Sequence, residues 1–147
     1  MLILTRRIGE TICIGDSICL TVYDRLCYHA MIGLLAPANA RLTLGGSAIR
    51  PVVLPEGERF YLLTLQSQDA FVIGDARVQV SFKPSFDALG VLRKRQIRIG
   101  IDAPRSVIVD REEIRARRLA DAGLKSPISF SHWLCRMNLS VSCHAAA

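Results

Sequence analysis

One series of residues recurs along this chain in the same order, and it limits the possible folds more than any other feature. Ile14-Gly15-Asp16 returns as Ile73-Gly74-Asp75, and upstream Leu4-Thr5 returns as Leu63-Thr64 at the same offset. Downstream, Ile32-Gly33-Leu34-Leu35-Ala36-Pro37 returns as Ile99-Gly100-Ile101-Asp102-Ala103-Pro104. Single identities arise by chance, but an ordered series of strand, turn, strand and turn does not, so the chain reads as a tandem repeat. Copy one is expected over residues 1–44 and copy two over 60–123. Residues 45–59, with their glycines and prolines, read as a linker, and 124–147 as a tail matching nothing in copy one.

Short β-like runs dominate both copies: Leu2 to Arg7, Thr11 to Ile14, Ile18 to Tyr23 and His29 to Leu34 in the first. The second has Tyr61 to Leu65, Ala70 to Ile73, Arg77 to Phe82, Gln96 to Ile101 and Ser106 to Val109. Val78, Val80 and Phe82 alternate with Arg77, Gln79 and Ser81, the period of a half-buried strand. Copy two also carries a longer loop, Lys83 to Lys94, and a helical extension from Arg111 to Ala122, with Gly123 as its stop. In the tail, Phe130, Trp133, Leu134 and Met137 have helical spacing, and weak order is expected there. The fold class that follows is mainly β: two five-stranded units and a C-terminal helix.

Composition narrows the function. Half of the 147 residues are hydrophobic, enough for a core without metals or staples. No apolar run approaches a membrane span, and Arg6-Arg7 follow Met1-Leu2-Ile3-Leu4 too soon for a signal peptide, so a cytoplasmic protein without a membrane partner is expected. The five cysteines are irregularly spaced and no disulfide framework is expected; Cys13 and Cys19 read as small hydrophobes in strands. His132, Cys135, Cys143 and His144 fit no standard zinc spacing, so neither metal nor cofactor is expected. A net charge of +6, concentrated between Arg93 and Arg118, is compatible with a polyanionic partner and equally with a solvated face. There is no phosphate loop and no nucleophile with a supporting base, which argues against an enzyme.

Met1-Leu2-Ile3-Leu4-Thr5-Arg6-Arg7-Ile8-Gly9-Glu10-Thr11, followed by Ile14-Gly15-Asp16, resembles the amino-terminal signature of the carbon storage regulator (Csr/Rsm) family. Ile97 to Pro104 and Val107-Ile108-Val109-Asp110-Arg111-Glu112-Glu113-Ile114 resemble that family's carboxy-terminal half. The resemblance covers nearly everything except the linker and the tail. It implies a five-stranded protomer that normally forms an interlocked homodimer, in which the first strand of one protomer lies beside the fifth strand of the other. Each such pair of edges forms one RNA site. The usual ligand is a GGA-containing hairpin loop in a messenger leader, where binding blocks translation initiation or alters message stability.

The two copies have lost opposite halves of that site. Copy one keeps Leu4-Thr5-Arg6-Arg7, but in its fifth strand, Ala40 to Gly46, Leu44 replaces the arginine of the Arg-Glu-Glu motif and Gly45-Gly46 replace the glutamates. Copy two keeps Val107, Val109, Arg111, Glu112 and Glu113, while its first strand reads Leu63-Thr64-Leu65-Gln66-Ser67 without arginine. Family-like pairing within one chain joins the two intact strands and leaves one composite site, in a monomer held together by its linker.

The expected RNA-binding residues are Leu4, Thr5, Arg6, Arg7, Arg98, Arg105, Val107, Val109, Asp110, Arg111 and Glu112. Arg6 and Arg7 point to opposite strand faces, so one of them is expected to serve structure. Asp110 stands where many family members carry an uncharged residue or a histidine, and a carboxylate repels phosphate unless it turns away. Glu112-Glu113 suit a helix start. The expected partners are messenger RNA and small regulatory RNA. The rival reading is a degenerate paralogue that acts as a protein-interaction module or binds a protein antagonist.

Overall fold

Alternating and continuous apolar runs of these lengths form twelve strands and one helix in the computed structural model, which describes residues 1–83, 88–90 and 96–121. The strands are β1 (Leu2–Arg7), β2 (Thr11–Ile14), β3 (Ile18–Arg25), β4 (His29–Ala36), β5 (Leu42–Leu44), β6 (Ser47–Ala48) and β7 (Val52–Val53). They continue as β8 (Arg59–Gln66), β9 (Ala70–Ile73), β10 (Ala76–Ser81), β11 (Gln96–Asp102) and β12 (Val109–Arg111), and α1 covers Glu112–Asp121. The basic triplet Arg93 to Arg95, Gly123 and the whole tail lie outside the described residues.

The strands form two six-stranded antiparallel sheets, ordered β1-β11-β10-β9-β5-β6 and β12-β2-β3-β4-β8-β7. Each sheet is built from both halves of the chain: β1 and β5 flank three strands of the second half, and β12 and β8 flank three strands of the first. The registers repeat as well. Ile3 faces Gly100 and Leu4 faces Ile99, as Leu62 faces Gly33 and Leu63 faces Ile32. Val109 to Arg111 run along Ile14 to Ile12, as Leu42 to Leu44 run along Ile73 to Phe71. Pairing therefore places Leu44 where the other half has Arg111.

Turn chemistry follows the same relation. Gly9 N–H donates to Val22 O at 2.7 Å and Val22 N–H to Glu10 O at 3.1 Å; Gln68 N–H donates to Val80 O at 2.8 Å and Val80 N–H to Asp69 O at 3.0 Å. Both are bulges whose first residue needs positive φ, +86° at Gly9 and +77° at Gln68. A left-handed conformation costs a residue with a Cβ about 1–2 kcal/mol, and glycine's greater unfolded freedom returns part of that. Gln68→Gly is expected to raise stability by about 0.5–1 kcal/mol in urea unfolding, a net left by those opposing terms. An unchanged or lower midpoint would mean that the Gln68 side chain, which donates to Ser81 Oγ at 3.1 Å, outweighs the backbone cost.

One core lies between the sheets and draws on every long strand. Ile12, Leu20, Ile32 and Leu34 meet Leu65, Phe71, Ile73, Val78, Ile97 and Ile99, all buried. The strands of the second half alternate buried and exposed residues, as in β10, whereas all of β2 is buried because its outer face is covered too. At the ends of β3 and β10, the buried Arg25 guanidinium stacks on the Phe82 ring, 4.0 Å from its centroid.

Three expectations need correction. The final strand is Val109–Arg111 rather than Ser106 to Val109, because residues 104–107 close a turn through Val107 N–H to Pro104 O at 2.9 Å. The fifth strand of copy one is Leu42–Leu44, shorter than Ala40 to Gly46, since Gly45 and Gly46 take φ of +60° and +80° and reverse the chain as a two-residue hairpin turn. That turn makes the supposed linker partly regular: β6 pairs with β5, and β7 pairs with β8.

Candidate nucleic-acid interface

The two strands that keep their arginines, β1 and β12, are outermost in their respective sheets. They are not hydrogen-bonded to each other; they are facing edges of two sheets, joined by side chains. Along β1, Leu4 and Arg6 turn inward opposite Ile99 and Ile97, while Ile3, Thr5 and Arg7 turn outward and are exposed. Arg6 is only 4% exposed. Its fork donates to Glu113, Nη2 to Oε1 at 3.2 Å and Nη1 to Oε2 at 3.4 Å, with Glu10 3.6 Å away. A buried guanidinium needs such partners, and the two-pronged geometry sets the β1 edge against the start of α1.

The register-equivalent residues at the opposite end of the molecule are Leu65, fully buried, and Gly46. Both members of the ion pair are absent there together. Loss of either alone would leave a charge without its partner, whereas leucine opposite glycine leaves an apolar slot.

Glu113 carries the electrostatic signature of this junction. Partial burial pushes its carboxyl up, but its own backbone N–H and the Arg6 and Arg111 guanidiniums outweigh that and hold it below the ordinary value. A depressed folded pKa contributes stability above the unfolded value of about 4.3, lost as pH falls through the folded value. The carboxylate is over half exposed, so solvent screening keeps this contribution small. The melting temperature is expected to fall more steeply below about pH 4 in the natural chain than in Glu113→Gln. Parallel curves would show that the pair adds nothing measurable.

Beside this junction, β12 presents its edge. The bond from Gly15 N–H to Ile108 O, at 2.8 Å, sets the phase of the ladder. Asp110 is bonded towards β2, and the main-chain groups of Val109 and Arg111 face outward. Among the described residues no strand covers that side. The Val107 and Val109 side chains pack on the core, and the Arg111 side chain is exposed. Asp110 has turned away: its side chain is 12% exposed and accepts from Arg118 Nη2 at 2.8 Å. Phosphate repulsion by Asp110 is thus offset within the fold.

Helix α1 begins with Glu112 and Glu113, whose negative charge suits the N-terminal end of the dipole. It has no buried residue and is tied down by charge instead. Arg115 donates through Nη1 to Gly15 O and through Nη2 to Asp16 Oδ1 at 3.1 Å. Arg98 faces Thr5 on the outer side of the first sheet, beside Arg7, and Arg105 is exposed in the turn before β12.

The structure therefore brings together Leu4, Arg6, Val109, Arg111 and the glutamates, puts Thr5, Arg7 and Arg98 on the adjoining face, and leaves Arg105 apart in its turn. Sequence reasoning missed Arg115 and Arg118 as the residues that hold α1 and neutralise Asp110. Asp16 lies in a turn 99 positions from Arg115, and Asp110 lies in a strand rather than on the helix of Arg118, so neither pair has a helical spacing to signal it.

Residues 1–42 match the family model CsrA, described as a global regulator protein family. No solved structure matches the chain.

Proposed function

Residues 1–42 belong to the carbon storage regulator family, and from that premise we propose that this chain is an RNA-binding post-transcriptional regulator with one composite site for a GGA-containing hairpin loop. The chain acts as two fused family units, 1–44 and 60–123, joined by residues 45–59. The observation that carries this reading is the meeting of the two intact edges, β1 and β12, through Arg6 and Glu113, while the equivalent edges carry Leu65 and Gly46.

The residues divide their work. Arg6 positions, because its donors are engaged inside the protein. Arg7 and Arg111 are exposed and supply planar donor forks to phosphate or base edges, and either can stack on an unpaired base. The outward N–H and C=O groups of Val109 and Arg111 read base edges of the loop, with Leu4 and Thr5 shaping the facing wall. Arg98, and more remotely Arg105, add phosphate contacts that are not sequence-specific.

The opposite pair of edges is closed to RNA for a second reason. The hairpin through Gly45-Gly46 lays Ser47 and Ala48 along Leu44 and Thr43, the register positions of Arg111 and Asp110. A main-chain edge already paired cannot read a base.

Titration of a labelled GGA-loop hairpin should therefore saturate at one RNA per chain, with the complex sedimenting as one chain plus one RNA. Two RNAs per chain would overturn the single-site reading. The exposed Met1, Leu2 and Ile3 on the β1 edge support a second reading, strand addition by a protein partner such as an antagonist. Absence of RNA binding at moderate salt would put that reading first.

A further inference from the structure

Cys13 and Cys19 stand directly opposite each other on β2 and β3. The bulge fixes what kind of pair they are. Val22 shares its bonds with Gly9 and Glu10, so Leu20–Ile12 and Ile18–Ile14 are the hydrogen-bonded pairs, and Thr21–Thr11 and Cys19–Cys13 are non-bonded ones. The threonine hydroxyls lie 2.7 Å apart, as this phase requires. In such pairs the Cα atoms are about 4.5 Å apart, inside the range that a disulfide spans.

The pair lies on the outer face of the second sheet, since the flanking Ile12, Ile14 and Leu20 point into the core. Cys13 is buried and Cys19 half buried. Cys13 is also in register with Asp110 of β12, the strand that carries Arg111. We propose that Cys13 and Cys19 form an oxidisable dithiol, a covalent modification site converted to a disulfide by hydrogen peroxide.

The two thiols share one proton-donating contact. The hydrogen bond from Cys19 lowers Cys13 to about 7 against the effect of burial, with Arg115 adding to it, while the same contact and burial push Cys19 up. Cys13 is thus the nucleophile and Cys19 the resolving thiol. The Cys13 thiolate attacks one peroxide oxygen; an S–O bond forms, the O–O bond breaks, and the departing hydroxide takes a proton to become water. Cys19 then attacks the sulfenic sulfur. The S–S bond forms, the S–O bond breaks, and the second hydroxide leaves as water with the Cys19 proton. Two thiols are oxidised and one peroxide is reduced to two waters.

The site lies against α1, which charge rather than core packing holds in place. Glu112 and Arg115 of α1 bear electrostatically on Cys13, and α1 has no buried residue. Oxidation removes the thiolate that Arg115 faces and loosens the helix next to the composite site. This chemistry does not depend on the RNA reading.

The test treats the full chain with hydrogen peroxide, alkylates the remaining thiols and maps the peptides by mass. The expected result is joint loss of alkylation at Cys13 and Cys19, a Cys13–Cys19 bridged peptide, and recovery with dithiothreitol. In Cys19→Ala, Cys13 should stop at the sulfenic acid and be trapped by dimedone. Alkylation retained at both residues while Cys27 or the tail cysteines are oxidised would overturn the proposal, as would their oxidation without a bridged peptide. Hairpin titration of the oxidised chain reads the coupling separately, so failure there does not touch the modification site.

Discussion

Arg111→Ala is expected to weaken binding of a GGA-loop hairpin by about 10- to 100-fold without changing the melting temperature. Hydrogen bonds to charged groups are worth about 1.5–3 kcal/mol, and each 1.4 kcal/mol is about tenfold in affinity. The Arg111 side chain is exposed and stands at the outer edge of its sheet, so its removal leaves no buried charge behind. Leu44→Ala is the matched control, because Leu44 occupies the same register position on the closed edge. It should leave affinity unchanged. Equal affinity for the natural chain and Arg111→Ala, measured by anisotropy at two salt concentrations, would remove Arg111 from the site.

The second large effect concerns the core. Phe71→Ala should cost about 3–5 kcal/mol, because it removes a large side chain from a position that cannot fully collapse. Phe71 is 1% exposed on β9, which β10 and β5 flank. Stabilities of about 5–15 kcal/mol are ordinary for domains, so this one change consumes a large share. The form of the transition is as informative as its midpoint. A single core joins strands from both halves, so loss of Phe71 should lower one common transition reported alike by the far-UV signal and by alkylation of Cys13. Two separate transitions would show that the halves fold independently, contrary to the interlocked pairing.

Much of this architecture was legible in the chain itself. β1, β2 and β9 match the expected runs residue for residue, and β4, β8 and β11 differ by a residue or two at their ends. Those signals are local: alternation of period two, β-branched residues, and Gly-Asp turns. The ends of copy one's last strand were misjudged because Gly45-Gly46 reads equally as a linker and as a hairpin turn, and only a pairing partner tells them apart. The same holds for Ser106 and Val107, which lead into the β-branched run of the last strand but close a turn back to Pro104.

What the sequence by itself determined was an ordered series of recurring motifs, the β class, and which strand-like runs carry arginine. The tertiary structure decided what those arginines do. Arg6 and Glu113 are 107 positions apart, and no local pattern foretells that one buried fork will meet that carboxylate. The strand alternation alone permits Arg6 or Arg7 to be the inward one; the register with Ile97 selects Arg6. Asp110 looked hostile to phosphate until α1 placed Arg118 on it. Cys13 and Cys19 looked like filler until the bulge set the ladder phase that turns them towards each other. Local propensity follows from each residue's own neighbours, whereas charge pairing, edge exposure and thiol proximity depend on which strand the rest of the chain brings alongside.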